Sequence, residues 1–290
     1  MIIYINAKAN YVKSFFLVTI LLMPIISFTQ EVLCSTKSKR DPLKNISLTD
    51  SVKFNQLNVP VIFHIVYKRD IENISDELIY NALKILNDDF LSTNDDLVSV
   101  PDEFKYAIGN PNINFQLATI LPNGGNTSGI IRVKTNREEF KHKKRFVFRE
   151  SPIYAPEKYL NVYICNLNTA ASTPTGATLR KNKYDNGIRI DYRKITSTSR
   201  TISHEVGHWL SLLHTFEGKC RNRDGVKDTP AQKKDFNCPN SRKIQCGNSI
   251  MYTNFMGYST CRNFFSKGQV KRMRTYISKY KQFYEATIGE

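Results

Sequence analysis

Four stretches of the chain have the hydrophobic pattern of β-strands. The run from Val59 to Tyr67 is rich in β-branched and aromatic residues, which predicts a buried strand. Apolar residues occupy alternate positions from Ile113 to Leu117 and from Leu160 to Ile164, which is the period of a strand. A further short strand is predicted from Ile188 to Asp191. His64 lies within the first strand, where we expect a structural role rather than metal ligation.

Three other stretches have apolar residues at helical spacing. Ser75 is a suitable N-cap for the first helix, whose apolar face comprises Leu78, Ile79, Ala82, Leu83, Leu86 and Phe90. A second helix is predicted over roughly Thr198 to Leu212, and the chain from there to Phe265 looks irregular. Ser266 and Gln269 form a capping box for a last helix, whose apolar side comprises Val270, Met273, Ile277 and Tyr280. This order of elements predicts a two-lobed α+β domain.

The N-terminus has the pattern of a secretory signal peptide. Two lysines precede an apolar run from Phe15 to Phe28, and Ser27 and Thr29 fit the −3 and −1 positions of a cleavage site. We therefore expect residues 1–29 to be removed on export, which makes the protein secreted or periplasmic, without a transmembrane anchor. A retained anchor is the alternative, although the run is short for a membrane span and is interrupted by proline.

The chain is strongly basic, with a formal net charge of +16. Removal of the signal peptide takes away two lysines and no acidic residue, which lowers the net charge to +14. Such a charge can attract nucleic acid or an anionic surface. The basic residues are scattered, however, and Lys141–Arg145 is the densest run. A solvated, lysine-rich surface is the simpler interpretation, and no specific nucleic-acid partner is expected.

Four of the six cysteines lie close together in a loop-rich stretch. Cys220, Cys238, Cys246 and Cys261 are surrounded by Gly, Asn, Asp and Lys, and in an exported protein this pattern predicts two disulfides. A four-cysteine zinc site is the alternative, but such sites usually contain CxxC pairs, which are absent from the sequence. Cys165 lies in a predicted strand, where we expect it to be buried.

The sequence HEVGH, residues 204–208, places two histidines four residues apart on the second predicted helix. Side chains at this spacing project from one face of a helix, one turn apart, as two ligands of a single ion must. Glu205 lies beside them and can accept a proton from a zinc-activated water without being a ligand itself. This is the HExxH arrangement of zinc peptidases.

A third histidine, His214, completes a ligand set only if the helix ends before it. Six residues of helix turn the chain by about 600°, which would point His214 away from His208. In the HExxHxxGxxH pattern a glycine makes the required turn, and Ser211 stands at that position here. A serine with positive φ costs about 1 kcal/mol, much less than zinc binding contributes. We therefore expect His204, His208 and His214 to bind one zinc ion.

Several longer motifs surround these histidines. They are HEVGHWLSLLHTF, DGVKDTP (residues 224–230), NFMGYSTC (residues 254–261) and FFSKGQVKRMR, and upstream VPVIFHIVYK, ENISDELIYNALKILNDDF and YLNVYICNL. Together they resemble the pappalysin-type metzincins, also called the cytophagalysin family (M43) of metallopeptidases, over most of residues 55–285. The resemblance implies a metzincin catalytic domain over residues 55–290. In such a domain a mixed β-sheet and two long helices lie above the active-site cleft, and a disulfide-stapled lower lobe with a C-terminal helix lies below it.

The resemblance also assigns roles to individual residues. Glu205 would be the general base, Met256 would belong to the Met-turn beneath the zinc ion, and Tyr258 would steady the oxyanion formed during hydrolysis. The implied disulfides are Cys220–Cys246 and Cys238–Cys261.

A calcium site is a further implication of the resemblance. Asp224, Asp228 and Thr229 resemble a calcium-binding loop of the family. Calcium prefers several hard oxygen ligands, and few carboxylates lie in this stretch. A solvated turn is therefore the alternative.

Cys34 follows the predicted cleavage site, in a segment of residues 30–54 that resembles a short propeptide. Family propeptides carry a cysteine whose thiolate occupies the open zinc position and keeps the enzyme latent. Cys34-Ser35-Thr36 resembles that segment, with serine in place of glycine. A free thiol, a disulfide with Cys165 and a lipid anchor are the alternatives.

The stretch after the Met-turn bears on specificity. Family members that cut before arginine carry an aspartate there, whereas the stretch from Met256 to Cys261 is shorter and has no acid. An arginine buried without a carboxylate partner is strongly disfavoured. We therefore expect no preference for arginine or lysine after the scissile bond, and a preference for an apolar or neutral residue, unless Asp235 supplies the missing carboxylate.

The sequence thus predicts a secreted zinc endopeptidase that acts on proteins or peptides, with calcium as an optional second metal. The main alternative is a catalytically weak or inactive metzincin scaffold that acts as a basic protein- or surface-binding module, for which Ser211 is the only support. A basic nucleic-acid-binding protein would rest on the net charge alone. A gluzincin, whose third ligand is a downstream glutamate, is disfavoured by the intact His214. The natural substrate and the oligomeric state are left open.

Overall fold

The computed structural model describes residues 34, 36, 43, 55–142, 144–156, 158–173, 187–239 and 242–279. The predicted signal peptide and most of the propeptide-like segment lie outside the described residues. Within those ranges, none of the helices combines the length and the apolar character that crossing a membrane requires.

The strands and helices follow the predicted order. The strands are β1 (Leu57–Tyr67), β2 (Ile108–Gly109), β3 (Ile113–Leu117), β4 (Ile130–Lys134), β5 (Leu160–Cys165), β6 (Ala171–Ser172), β7 (Gly187–Asp191), β8 (Ile244–Gln245), β9 (Asn248–Ser249) and β10 (Phe265–Ser266). The helices are α1 (Asp76–Leu91), α2 (Asp102–Lys105), α3 (Val147–Glu150), α4 (Thr201–Trp209) and α5 (Lys267–Lys279).

A six-stranded sheet forms the upper lobe. The first half of the long strand β1 pairs with β3 and its second half with β4, both along one edge, while β5 pairs with β1 along the other edge. β7 follows β5 in the sheet, and β6 is the edge strand beyond β7. All of these pairs are parallel except β6–β7. The mixed sheet that the resemblance implied is therefore confirmed.

α1 and α4 pack on the sheet and on each other. The core between them includes Phe63 from β1, Phe90 from α1 and Trp209 from α4, all of which are buried. Ser75 caps α1 by accepting a hydrogen bond from the backbone N–H of Leu78, as predicted. Because α4 lies between sheet and lower lobe, its residues are buried from Ile202 to Trp209, and the zinc-binding pattern lies at the centre of the molecule.

His64 has the structural role that the sequence suggested. It is buried in β1, its two ring nitrogens are 2.7 Å from Ser151 Oγ and 3.0 Å from Asn161 Oδ1, and its ring stacks on Tyr163. Burial lowers its pKa to about 4, so the ring is neutral in the folded protein.

The lower lobe is irregular and is tied to the upper lobe at defined points. The disulfides Cys220–Cys246 and Cys238–Cys261 are present, as the resemblance implied. β8 and β9 form a small hairpin, and β10 pairs with β2 of the upper lobe. The capping box of α5 is also confirmed, since Ser266 N–H donates to Gln269 Oε1 and Gln269 N–H donates to Ser266 Oγ.

The predicted extent of the second helix is wrong at both ends. α4 has nine residues instead of the fifteen predicted from Thr198 to Leu212. It ends because Leu210 leaves the helical conformation and Ser211 turns the chain with a φ of 78°. The hydrophobic pattern continues through Leu212 and Leu213 because both side chains are buried in the turn itself.

Candidate metal centre and active site

α4 presents His204 and His208 from one face, as their spacing predicted. Each ring is fixed through its Nδ1–H. His204 donates to the carbonyl of Phe255 at 2.7 Å, and His208 donates to the carbonyl of Leu212 at 2.8 Å. A proton held on Nδ1 leaves the lone pair on Nε2, which is the form of histidine that binds a metal.

Ser211 brings the third histidine to the same place. Its φ of 78° is left-handed, as the sequence required of any residue at this position. The N–H of Ser211 donates to the carbonyl of His208, and the N–H of Leu212 donates to the carbonyl of Gly207, which closes the end of α4. The chain reverses, and His214 Nε2 lies 3.1 Å from His208 Nε2. Ser211 therefore makes the glycine-type turn, and its presence gives no support to an inactive scaffold.

Four ligand-type atoms converge at this point. The potential ligand atoms of Cys34, His204, His208 and His214 all lie within 4.8 Å of one another, and all four residues are buried. His204 Nε2 has no hydrogen-bond partner. Burial lowers the pKa of His208 to about 4 and holds the pKa values of His204 and His214 well below their usual value, so all three rings are neutral. Three neutral imidazoles and one thiol are ligands that suit zinc, and the residues present fit the ion.

Glu205 lies beside this group and does not join it. Its side chain is buried, and neither carboxylate oxygen makes a hydrogen bond. Burial raises its pKa to about 7, while the side chains of Thr173 and Cys34 lower it by less. A carboxyl group with a pKa near neutrality can both accept and return a proton, as a general base and acid must.

The Met-turn lies under α4 and is bonded to both parts of the ligand set. His204 is bonded to the carbonyl of Phe255, and the N–H of Thr215, next to His214, donates to the carbonyl of Met256 at 3.2 Å. Met256 is fully buried against Gly207 of α4. The turn thus fixes the histidines from below, through carbonyl contacts that no sequence pattern indicated.

The Met-turn is in turn anchored to the C-terminal helix. Asn254 and Gln269 exchange two side-chain hydrogen bonds, at 2.8 and 2.9 Å. Asn254 Oδ1 also accepts from the N–H of Met256. The residue that caps α5 therefore also positions the floor of the metal centre, a role that helical periodicity could not reveal.

Tyr258 lies against the ligand group. Its ring centroid is 5.1 Å from that of His214 and 5.8 Å from that of His204. Its hydroxyl donates to the carbonyl of Cys34 at 2.8 Å. Tyr258 thus lies beside two of the clustered histidines, and its hydroxyl is bonded to a backbone carbonyl.

Cys34 is held in the site by a second contact nearby. Thr36 N–H lies 3.3 Å from Cys34 Sγ, and the Thr36 hydroxyl donates to the carbonyl of Thr173 while accepting from its N–H. Cys34 and Cys165 are both free and buried. A Cys34–Cys165 disulfide, which the sequence left open, is therefore absent.

The predicted calcium loop has a different set of contacts. Asp224 accepts from the N–H of Val226 and from the hydroxyl of Thr229. Asp228 accepts from the hydroxyl of Ser266 and from the N–H of Gly268, at the start of α5. Among the described residues, no cluster of three potential metal ligands includes either carboxylate. Calcium binding remains a prediction, and Asp228 has a helix-capping role that sequence reasoning missed.

Asp89 was also missed, although it holds the start of the zinc-binding helix. This buried residue of α1 accepts hydrogen bonds from Arg200 and from Ser203, which flank the first turn of α4. Its position on an otherwise apolar helical face was the available signal, because a buried carboxylate needs partners from another element.

Comparison with known proteins agrees with this geometry. The family model described as pregnancy-associated plasma protein-A, peptidase family M43, matches residues 142–278. An extracellular metalloprotease of Sordaria macrospora is 38% identical over 143 residues, which are 43% of this chain and 50% of that protein. One from Colletotrichum graminicola is 26% identical over 263 residues, 85% of each chain. The chain thus spans about half the length of the first curated relative and most of the second.

A solved structure extends the likeness over nearly the whole domain. Mature mirolysin of Tannerella forsythia, in complex with a cleaved peptide, superposes with a TM-score of 0.76 and 32% sequence identity. The match covers 80% of this chain and 97% of mirolysin. A promirolysin variant from the same organism matches with a TM-score of 0.75 and covers 79% of this chain. On its sequence, its fold and its histidine cluster, the chain belongs to the pappalysin-type metzincin family of metallopeptidases.

Proposed function

We propose that this protein is a zinc-dependent endopeptidase that cleaves peptides or proteins. The observation that carries the proposal is the convergence of His204, His208 and His214 beside a buried carboxyl group, that of Glu205. When bound, zinc would lower the pKa of a water molecule and polarise the scissile carbonyl. The relatives named extracellular metalloproteases, and the mirolysin complex with a cleaved peptide, support this reaction class.

Glu205 moves the proton in this mechanism. Its buried carboxylate accepts no hydrogen bond of normal geometry, although Thr173 and Cys34 lie close enough to influence it, so an oxygen can take the proton of the attacking water. Having accepted that proton, it delivers it to the nitrogen of the leaving amine, so that the peptide bond breaks without an acyl-enzyme. Burial raises its pKa, which makes the carboxylate a stronger base towards that water.

Tyr258 supplies the oxyanion donor. Its hydroxyl already donates to a carbonyl oxygen, that of Cys34, beside two of the zinc ligands. A scissile carbonyl in the same position would receive the same hydrogen bond, which strengthens as negative charge develops on its oxygen.

Cys34 masks the site in the precursor. Its thiol lies among the ligand atoms of the three histidines, and its carbonyl accepts the hydrogen bond of the Tyr258 hydroxyl. Both the fourth ligand position and the oxyanion donor are thereby occupied by one residue of the propeptide-like segment. Removal of this segment frees both at once.

The protein acts outside the cytoplasm in this proposal. The signal-peptide pattern of residues 1–29, the two disulfides and the names of the relatives support secretion or a periplasmic location. Calcium, if bound at Asp224 and Asp228, would stabilise the lower lobe and take no part in the reaction.

The experiment combines metal analysis with a single substitution. In full-length protein that carries Cys34→Ala, zinc content is measured by emission spectroscopy and casein hydrolysis is followed with and without 1,10-phenanthroline. Glu205→Gln should keep zinc and the unfolding temperature but lower the rate by about 10²–10⁴-fold, because it removes only the base. Glu139→Gln makes the same change at an exposed site and should have no effect. Undiminished hydrolysis by Glu205→Gln would exclude this mechanism, and a zinc-free active protein would exclude the metal.

A further inference from the structure

Arg262 is a cation beside the catalytic groups that the mechanism does not use. It follows Tyr258 by four residues, after the Met-turn. Burial is the main influence on the pKa values of Glu205, His214 and Tyr258, and the charge of Arg262 lowers all three. Its Nη1 reaches the carbonyl of Gly257, between Met256 and Tyr258, which places the guanidinium beside the metal centre.

The protein provides Arg262 with little to bind. Nη1 donates to the carbonyl of Gly257 at 3.4 Å, which is a long hydrogen bond. Nε is fully buried and makes none. No carboxylate in the described part of the chain forms an ion pair with it. Burial accordingly lowers its pKa, because the charge is desolvated.

Two other arginines show what a satisfied guanidinium looks like here. Arg200 binds two carboxylates, those of Asp89 and Asp96. Arg274 donates to three backbone carbonyls, those of Asn55, Pro111 and Asn112. A ligand that brings an anionic group would supply the partner that Arg262 lacks and would offset the cost of burying its Nε.

Arg262 is also accessible to a ligand. The side chain is partly exposed and lines a cavity of about 430 Å³, together with Thr260 and residues at the start of α4. Three carboxylates border this cavity. Asp88 pairs with Lys84 and Asp96 pairs with Arg200, while Asp95 is exposed to solvent. The cavity therefore contains two cations, of which Arg262 is the one without a carboxylate partner among the described residues.

A second cation flanks the same tyrosine. Lys234 Nζ lies 4.9 Å from the ring centroids of both Tyr258 and Phe236. Asp235, the acid considered as a substitute carboxylate, is bound to Lys243 at 2.5 Å and accepts from Gln245 and Asn237. It is thus occupied within the protein, and it does not neutralise Lys234 or Arg262, the two cations beside Tyr258.

We propose that Arg262 is a specificity-determining residue that binds the carboxylate of an aspartate or glutamate side chain next to the scissile bond. This inference rests on the proposed peptidase function and deepens it by naming the substrate class. It replaces the sequence expectation of an apolar or neutral residue. That expectation was based on the absence of an acidic residue from Met256 to Cys261, and it did not consider Arg262, the next residue.

The first test uses cleavage by the full chain carrying Cys34→Ala. A randomised peptide library identifies the cleaved sequence, and matched peptides then carry Asp, Asn, Glu, Gln or Lys at the selected position. We expect kcat/KM for Asp or Glu to exceed that for the isosteric amide by about tenfold or more, since the guanidinium can form a bidentate ion pair with the carboxylate but only a single hydrogen bond with the amide oxygen. Lysine should be the poorest residue.

The second test changes the arginine. Arg262→Gln should reduce the acid-over-amide ratio to near one, mainly through KM, whereas Arg262→Lys should keep part of it because the charge remains. Arg221→Gln removes an exposed arginine from the same lobe and should leave the ratio unchanged. Thermal unfolding of each variant distinguishes a loss of specificity from a loss of stability. If Arg262→Gln does not fold, the acid-over-amide ratio of kcat/KM in the protein with Arg262 intact still tests the proposal.

A binding measurement gives a readout without turnover. Fluorescence anisotropy with a labelled acidic peptide is measured on zinc-loaded protein that carries Glu205→Gln and Cys34→Ala, and the amide peptide serves as the comparison. Tighter binding of the acidic peptide, lost in Arg262→Gln, supports the proposal.

Efficient cleavage with no preference for an acidic residue would overturn the proposal and leave the peptidase function intact. A pH profile that shifts in Arg262→Gln with an unchanged ratio would also overturn it and would instead give Arg262 a role in tuning Glu205. A library that remains uncut would overturn the proposed function itself.

Discussion

The sulfur of Met256 lies directly against the Cα of Gly207. A Cβ atom built on Gly207 would be 2.5 Å from Met256 Sδ, and its next contacts, with Met256 Cε and Phe265, would be at 3.4 Å. Gly207 lies between His204 and His208, two of the clustered histidines, on α4. The close approach of helix and Met-turn therefore depends on a residue without a side chain within the HExxH pattern.

Gly207→Ala should destabilise the protein although alanine is the better helix former. Helix propensity favours alanine by about 1 kcal/mol, but forcing a methyl group into this contact costs about 1–3 kcal/mol and shifts the Met-turn away from His204. We expect a lower unfolding temperature and weaker zinc retention during dialysis against a chelator. Met256→Ala should partly restore both in the double variant. Gly125→Ala is the control, because Gly125 is exposed and its added methyl group would meet only the side chain of Asn123, at 3.3 Å. Equal unfolding temperatures for all variants would contradict the Gly207–Met256 contact.

Ser211→Gly should raise stability and leave activity unchanged. The φ of 78° at Ser211 costs a side-chain-bearing residue about 1 kcal/mol, which glycine avoids. Its hydroxyl is buried without a hydrogen-bond partner, so nothing is lost with it. Ser211→Val should do the reverse, because a β-branched side chain is strongly disfavoured at positive φ. Chemical denaturation of the zinc-loaded proteins gives the free energy of unfolding, which should decrease from Ser211→Gly to the wild type to Ser211→Val. A glycine variant less stable than the wild type would show that the serine side chain makes a contact that stabilises the turn.

The convergence of the three histidines could be predicted because it depends on local spacing. HExxH requires only a helix, and the six-residue step to His214 requires only a turn, so few arrangements satisfy both. The caps at Ser75 and at Ser266 with Gln269 were predictable for the same reason, since cap and helix are adjacent in sequence. The long strand β1 was identified because its run of β-branched and aromatic residues is broken only by Pro60 and His64.

Contacts between distant segments were not predictable. The carbonyl of Phe255 that fixes His204, the Asp89–Arg200 pair and the lone Arg262 all join residues that only the tertiary fold brings together. Strand β4 was missed because its residues are half-buried at an edge and do not alternate. The end of α4 was missed because the hydrophobic pattern continues through the buried turn.

Asp224 should make stability depend on pH in the direction opposite to that of a salt-bridged carboxylate. Burial raises its pKa to about 7 in the folded protein, against about 4 when unfolded. The folded state therefore holds the proton more tightly, and stability falls as the pH rises from about 4 through 7. Asp224→Asn mimics the protonated acid, since its amide can donate to Thr229 Oγ1, whose hydroxyl donates to the carbonyl of Val226. It should match the wild type at pH 5 and exceed it at pH 8.

Calcium provides the contrasting outcome of the same experiment. If Asp224 and Asp228 bind calcium, added calcium should raise the unfolding temperature of the wild type at pH 8 and not that of Asp224→Asn. If both proteins respond equally, the predicted calcium loop is wrong. A wild type that gains stability from pH 5 to 8, with no such gain in Asp224→Asn, would contradict the raised pKa.

Cys34→Ala should shorten the activation lag of the full-length precursor. The substitution removes the thiol from the ligand group, which weakens the hold of the propeptide-like segment on the three histidines. Cys165→Ala is the matched control, because Cys165 is also free and buried but lies in β5 outside the ligand group. In cobalt-substituted protein, Cys34→Ala should abolish the sulfur-to-cobalt charge-transfer absorption, which Cys165→Ala should retain. An unchanged lag together with an unchanged absorption spectrum would show that the thiol does not mask the metal, and the Tyr258 hydrogen bond to the Cys34 carbonyl would then be the contact that holds the segment in the site.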